Sequence, residues 1–423
     1  MIADSKMLRP CFFTSIALNY TAKAFAWARS VASIYPLADV FIAVLDLEDG
    51  SAVFVADLDY SVKSIAGPRC SVVSSESLGA SPEWRDSGYG VSEACTRVKP
   101  RVTLSLLNRY SLVTYMDPDT ILFADLDHIQ NETSFDWDIQ LTPHIIGSKT
   151  NTPHLSERIF ALSGIYNLGY FSIRRSADAF RFLLWWDDYL SRFCYDYPSQ
   201  GLFVDQKPVD FVHCFLDKVH ILRHPGYNVA WWNLLYDRSL GFGTDYHVIH
   251  DGMNHDLVFF HFSNLPSSFT STSAISKMIP MLTSKLTPEL TFNNRPVLQR
   301  LYLEYSTDII NIQRQMPSCA GVLTTGSVKR QKLTLPWFKR ILISEGWRIA
   351  YNFNKSAPKP TTSIAKILYL IFANLNVRGV ARAFKAGLIS LMPSMSDYIL
   401  HSNMQYKSRF SREIPKFHPG GNP

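Results

Sequence analysis

The succession strand, helix, strand near the start of the chain constrains the fold more than any other feature. "CFFTSIA" is a continuous apolar run beginning at Cys11, "TAKAFAWARSVASIY" follows with helical spacing, and "DVFIAVLD" is a second apolar run ending at Asp46. Strands joined through a helix run parallel, because a parallel return needs a crossover connection. A parallel sheet is covered by helices on both faces, so an α/β body is expected over residues 10 to about 265. Further along, "SEACTRVKPRVTLSLLNRY" reads as a helix and "SLVTYM" as the next strand. Ser176 reads as the N-cap of the helix "ADAFRFLLWWDDYLSRF". With 423 residues, 47% of them apolar, the chain has ample material for such a core.

Beyond this body the composition changes. Residues 266–326 turn Ser/Thr-rich and then helical ("RPVLQRLYLEYSTDIINIQRQ"), which predicts a helical extension. From Ser327 onward there are sixteen Lys/Arg against three Asp/Glu, a charge of +13. The first 326 residues hold 26 against 33, or −7. The tail, 327–423, therefore differs in kind from the body and favours an anionic partner. Within it Val377, Val380, Phe384, Leu388 and Leu391 share one helical face, with Arg378, Arg382 and Lys385 opposite. Gly379 and Gly387 weaken that helix. The pattern suits peripheral contact with an anionic membrane surface, and equally a helix packed on the α/β body with its basic side in water. The end, "KFHPGGNP", is expected to fray.

The six cysteines form no C-x-x-C pair, which suggests buried thiols in a reducing compartment. The short apolar run Cys11–Leu18 reads as a strand and not as a signal peptide. No apolar stretch reaches the roughly 20 residues of a spanning helix. A cytoplasmic protein, peripheral on the membrane at most, is expected.

The densest chemistry lies in "SLVTYMDPDTILFADLD", where four aspartates follow a strand. Ligands of open α/β sheets sit at the carboxyl ends of strands. Asp117 and Asp119 stand at such an end, with Pro118 fixing one torsion between them. Two converging carboxylates repel unless a cation lies between them, and a hard divalent ion leaves room for phosphate oxygens. Asp125 reads instead as a cap. The plainer alternative is that all four are turn and cap residues. "VFFHFSN" ends a strand at His261, a suitable third ligand or else a core histidine. "GLFVDQK" sets Asp205 beside Gln206 near a helix start, and "SGIYNLGYFSIRRS" sets Asn167 and Gly169 where a strand begins. "HPGYNVAWWN" brings amides beside two tryptophans, suited to sugar faces but also to a core.

In their order, "ACTRVKP", "YMDPDT", "YNLGYFSIRR", "DQ", "GYNVAWWN" and "FFHFSN" resemble the GT-A nucleotide-sugar glycosyltransferases, in particular glycosyltransferase family 8 and related bacterial polysaccharide-type enzymes. The resemblance covers roughly residues 10 to 265. It implies a Rossmann-like GT-A domain and transfer of a hexose from a nucleotide-diphosphate sugar to a glycan or lipid-linked acceptor. It implies Asp117, Asp119 and His261 as ligands of Mn2+ or Mg2+, and Asp205 and Gln206 at the reacting carbon. Thr14, Asp46, Lys99, His144 and Asn167 would contact the donor. The family's lysine shortly after the metal histidine is missing from "HFSNLPSSF", and His144 stands where relatives often carry an acidic residue. Family likeness also implies retention of configuration. A sugar nucleotidyltransferase would use paired aspartates too, but "TSIALNYTAKA" lacks the glycines of its phosphate loop. A nucleic-acid-binding role for the tail finds no motif to support it, so no nucleic acid partner is expected.

Overall fold

The computed structural model describes residues 10–45, 52–80, 89, 91–126, 136–147, 157–198, 201–234, 236–263, 265 and 288–316. The chain divides into two compact units, Met1–Ser81 with Val91–Gln331, and Pro82–Gly90 with Lys332–Pro423. Of the second only Tyr89 is described. The basic tail and its amphipathic stretch lie outside the described residues.

The first unit opens as β1 (Cys11–Ile16), α1 (Thr21–Ile34), β2 (Asp39–Val44), α2 (Ala52–Ala66) and β3 (Cys70–Ser74). Next come α3 (Val91–Arg97), α4 (Lys99–Leu107), β4 (Leu112–Met116), β5 (Thr120–Leu122) and β6 (Ile139–Pro143). Then follow α5 (Glu157–Ser163), β7 (Tyr166–Arg174), α6 (Ala177–Phe193), β8 (Asp196–Tyr197), β9 (Leu202–Phe203) and a 3-10 segment, Lys207–Cys214. The unit closes with β10 (Val219–Ile221), α7 (Trp231–Leu234), β11 (Ser239–Phe242), β12 (Tyr246–His250), β13 (Met253–Asp256), β14 (Phe259–His261) and α8 (Pro288–Gln315).

The central sheet has seven strands in the order β10-β6-β7-β4-β1-β2-β3. Strands β1, β2, β3 and β4 run parallel, and β7 is antiparallel to both β4 and β6. All six residues of β1 are buried, as a strand covered on both faces requires. The chain winds from β1 outward to β3, then returns to place β4 on the other flank of β1. That reversal opens a crevice at the carboxyl ends of β1 and β4, the usual ligand position in such sheets.

Three placements prepare this crevice. The stretch read as one helix from Ser92 is two, α3 and α4, because Pro100 has no backbone N–H and suits only a first turn. The restart puts Lys99 at the first position of α4. Strand β14 pairs antiparallel with β5, which sets His261 opposite Thr120. Helix α8 joins the core of α1: Leu298, Leu301, Tyr302, Tyr305 and Ile309 belong to the same buried cluster as Phe25 and Trp27. Tyr305 stacks on Phe262 with ring centroids 3.9 Å apart and planes 5° from parallel. No helix among the described residues is long and apolar enough to cross a membrane.

Candidate active site

Asp117, Pro118, Asp119 and Thr120 form a tight turn at the end of β4. The Thr120 N–H donates to the Asp117 carbonyl at 3.1 Å, and its hydroxyl donates to the same oxygen at 2.7 Å. Proline at the second position suits such a turn, since its torsion is already set. Both carboxylates are thereby held on one side of the turn.

The two oxygens of Asp117 have different duties. Oδ1 accepts from the Tyr115 hydroxyl at 2.6 Å and from Lys99 Nζ at 3.2 Å. Oδ2 lies 3.6 Å from His261 Nε2, and Asp119 Oδ1 lies 3.2 Å from the same nitrogen. Among the described residues this trio is the group of carboxylates and imidazoles that could hold a metal ion, with ligand atoms within 4.8 Å of one another. Asp119 and His261 are buried; Asp117 is partly open. Burial pushes the Asp119 carboxyl up, but His261 and Lys23 together bring it below the ordinary carboxylate range. For His261 burial acts downward, and the two aspartates more than reverse it. The site is built to hold positive charge between its members.

Lys99 is almost wholly buried. Lys99 Nζ donates to the Leu168 carbonyl at 3.0 Å and to Asp117 Oδ1 at 3.2 Å, and pairs ionically with Asp205 Oδ2 at 2.7 Å. The ammonium also sits 4.2 Å from the Tyr115 ring centre. Burial alone would lower its pKa, yet the two carboxylates raise it. Lys99 therefore bridges Asp117 and Asp205 on the wall of the cavity. Burial lifts the Asp205 carboxyl to about 6 in spite of Lys99.

Gln206 is held at both ends: Nε2 donates to the Ser163 carbonyl at 2.7 Å, and Oε1 accepts from the Leu168 N–H at 3.3 Å. Asn167 Oδ1 accepts from the Gly169 N–H at 3.0 Å, and Asn167 Nδ2 donates to His144 Nε2 at 3.2 Å. His144 stacks on Phe160, with burial bringing its pKa down to about 4. A cavity of about 650 Å3 gathers Lys99, Asp117, Asp119, His144, Asn167, Asp205, Gln206 and His261, so eight of the ten anticipated residues meet in one place.

The remaining two are Thr14 and Asp46. Asp46 lies outside the described residues. Thr14 is fully buried and absent from the cavity wall; its neighbour Ser15 lines the cavity and donates to the Cys95 carbonyl at 2.7 Å. Strand side chains alternate, so an assignment one residue off lands on the opposite face. Asp125 is exposed beside the Tyr35 hydroxyl, apart from the metal candidates.

Sequence reasoning passed over Asn228, inside the quoted "GYNVAWWN". Its Oδ1 accepts from His261 Nδ1 at 3.2 Å, and its Nδ2 donates to Asn167 Oδ1 at 2.9 Å and to Thr142 Oγ1 at 2.8 Å. Its φ of 49° lies in the left-handed region, which asparagine tolerates better than most residues, and no local pattern in the sequence singles it out from its neighbours.

No family model matches the chain. It is 24% identical over 299 residues to the uncharacterized protein YfnF of Bacillus subtilis (strain 168), spanning 68% of this chain and 92% of that one. Solved structures to which it is similar include the galactosyltransferase LgtC in complex with donor and acceptor sugar analogs, at 14% identity and TM-score 0.39, covering 66% of this chain and 96% of LgtC. Mouse xyloside xylosyltransferase 1 is similar at 11% identity and TM-score 0.36, covering 61% of this chain and 98% of that one. The glycosyltransferase GlyE of Streptococcus pneumoniae TIGR4 is similar at 11% identity and TM-score 0.31, over 52% of this chain and 46% of GlyE.

Proposed function

We propose that this chain is a metal-dependent glycosyltransferase. It moves a hexose from a nucleotide-diphosphate sugar, UDP-linked in our reading, to a hydroxyl of a glycan or lipid-linked acceptor, with retention. The observation that carries the reading is the convergence of Asp117 Oδ2, Asp119 Oδ1 and His261 Nε2 at the carboxyl end of β4, on the wall of a cavity large enough for a nucleotide sugar.

Charge argues the same way. The cavity wall carries three aspartates, Asp117, Asp119 and Asp205, against one lysine, Lys99. A diphosphate brought into that field is repelled unless a cation enters with it. Two carboxylate oxygens and one imidazole nitrogen suit Mn2+ or Mg2+ with positions left for phosphate oxygens. An ion bound there would stabilise the negative charge that grows on the leaving diphosphate.

The protein's own groups would do the rest. Lys99 holds Asp117 in its ligating orientation and offsets the charge of Asp205. Gln206, tied at both ends to backbone, offers a fixed neutral dipole and is a poor nucleophile. Asp205 is buried against Lys99 and is no freer to attack. A front-face substitution fits these constraints: the acceptor oxygen bonds to the anomeric carbon as the sugar–phosphate bond breaks, and the acceptor proton passes to the leaving diphosphate.

The test is nucleoside diphosphate release from a panel of nucleotide sugars, with and without Mn2+. Release from at least one donor, dependent on Mn2+ and lost in Asp119→Ala, is expected. Failure with every donor in the presence of Mn2+ would end this reading. The basic tail would bring the enzyme to an acceptor on an anionic surface; co-sedimentation with anionic vesicles, released at high salt, tests that part.

A further inference from the structure

The orientation of Asn167 follows from a group with no freedom. The Gly169 N–H can only donate, so the Asn167 atom 3.0 Å away is Oδ1. The Asn228 atom that faces this oxygen at 2.9 Å must then be its donor, Nδ2. The opposite end of the same amide, Oδ1, faces His261 Nδ1 at 3.2 Å, so that ring nitrogen carries a hydrogen. The lone pair of a neutral His261 is thereby placed on Nε2, the nitrogen that faces Asp117 and Asp119. Each assignment depends on the one before, and the first rests on backbone.

We infer that Asn228 is a positioning residue that sets the tautomer and orientation of His261 as an Nε2 ligand. It does so through the relay Gly169 N–H, Asn167, Asn228, His261 Nδ1–H. Three further observations fit a built relay. Asn228 is buried, with 1% of its surface exposed. Its backbone is pinned in the left-handed region, where its carbonyl accepts from Asn233 Nδ2 at 2.8 Å. The ring of Trp232 stands edge-on to His261 at 5.3 Å and closes another side of the imidazole. Partners of this kind fix ligand direction and raise ligand basicity, and their loss weakens metal binding by about 10- to 100-fold.

The inference rests on the metal reading proposed above, and the experiment separates the two. Mn2+ alone is titrated into the full chain by calorimetry, for wild type, Asn228→Gly and Asn228→Asp, with melting temperatures measured in parallel. Glycine keeps the left-handed backbone without strain and deletes the relay. Aspartate keeps an acceptor for His261 Nδ1–H but turns a second acceptor toward Asn167 Oδ1. The expected pattern is a Kd for Mn2+ raised by about 10- to 100-fold in Asn228→Gly. In Asn228→Asp the Kd should stay within about threefold of wild type while the melting temperature falls. Wild-type affinity in Asn228→Gly would overturn the inference. So would equal weakening in both variants, which would reduce Asn228 to packing. A wild type that binds no Mn2+ overturns the metal reading itself.

Discussion

Gly169 stands where a side chain has no room. A Cβ there would lie 2.6 Å from His261 Cε1, 2.7 Å from His261 Nδ1 and 2.8 Å from Asn167 Oδ1. Gly169→Ala must therefore push the imidazole off its place. We expect at least tenfold weaker Mn2+ binding by calorimetry and a loss of about 1–3 kcal/mol in urea unfolding. Unchanged metal affinity would mean that the ring is not held where its ligand role needs it. His144 makes a different prediction. Burial keeps its imidazole neutral, with a pKa of about 4 against an ordinary 6.5. Between those values only the unfolded chain takes up the proton. Its contribution to stability is therefore complete above pH 6.5 and lost as pH falls to about 4, by about 3 kcal/mol. Asp205, raised to about 6, acts in the opposite sense, so the comparison must be a difference between proteins. His144→Gln should flatten the wild-type-minus-variant curve below pH 4 and above 6.5, with the whole change between; a difference independent of pH would refute it.

At the scale of elements, local signals did well and distant ones were silent. The Ser176 hydroxyl accepts from the Ala179 N–H at 3.0 Å, the N-cap read from the sequence. Ser176→Ala should cost about 1 kcal/mol in chemical unfolding. The break between α3 and α4 carried its own signal in Pro100, which the apolar spacing around it masked. The pairing of β5 with β14 had no signal at all, because neither run says which distant strand it meets. Helix α8 was legible as a helix but not as a core element. Its Leu301 is 2% exposed within the cluster that includes α1. Leu301→Ala should cost about 2–5 kcal/mol, read as a shift of a single unfolding transition. A loss below about 1 kcal/mol would show that α8 rests on the surface.

At the scale of the molecule, ligand binding and stability are linked. If the aspartate pair and His261 hold the ion against a diphosphate, Mn2+ with UDP at a hundred times Kd should stabilise the protein by about 2.7 kcal/mol. The same mixture should leave Asp119→Ala unmoved and still stabilise Asp125→Ala, as melting curves would report; the reverse pattern would mean the wrong pair was chosen. The place of that pair at a strand end was legible in the sequence, because two carboxylates across a proline are a local arrangement. So was the α/β class, since periodicities of 2 and 3.6 are written residue by residue. Two features were decided by tertiary structure: that Ser15 and not Thr14 meets the cavity, and that Asn228 reaches His261. Each depends on which face of a strand or turn points inward once distant segments pair. A shift of one residue reverses that face while leaving the local pattern unchanged.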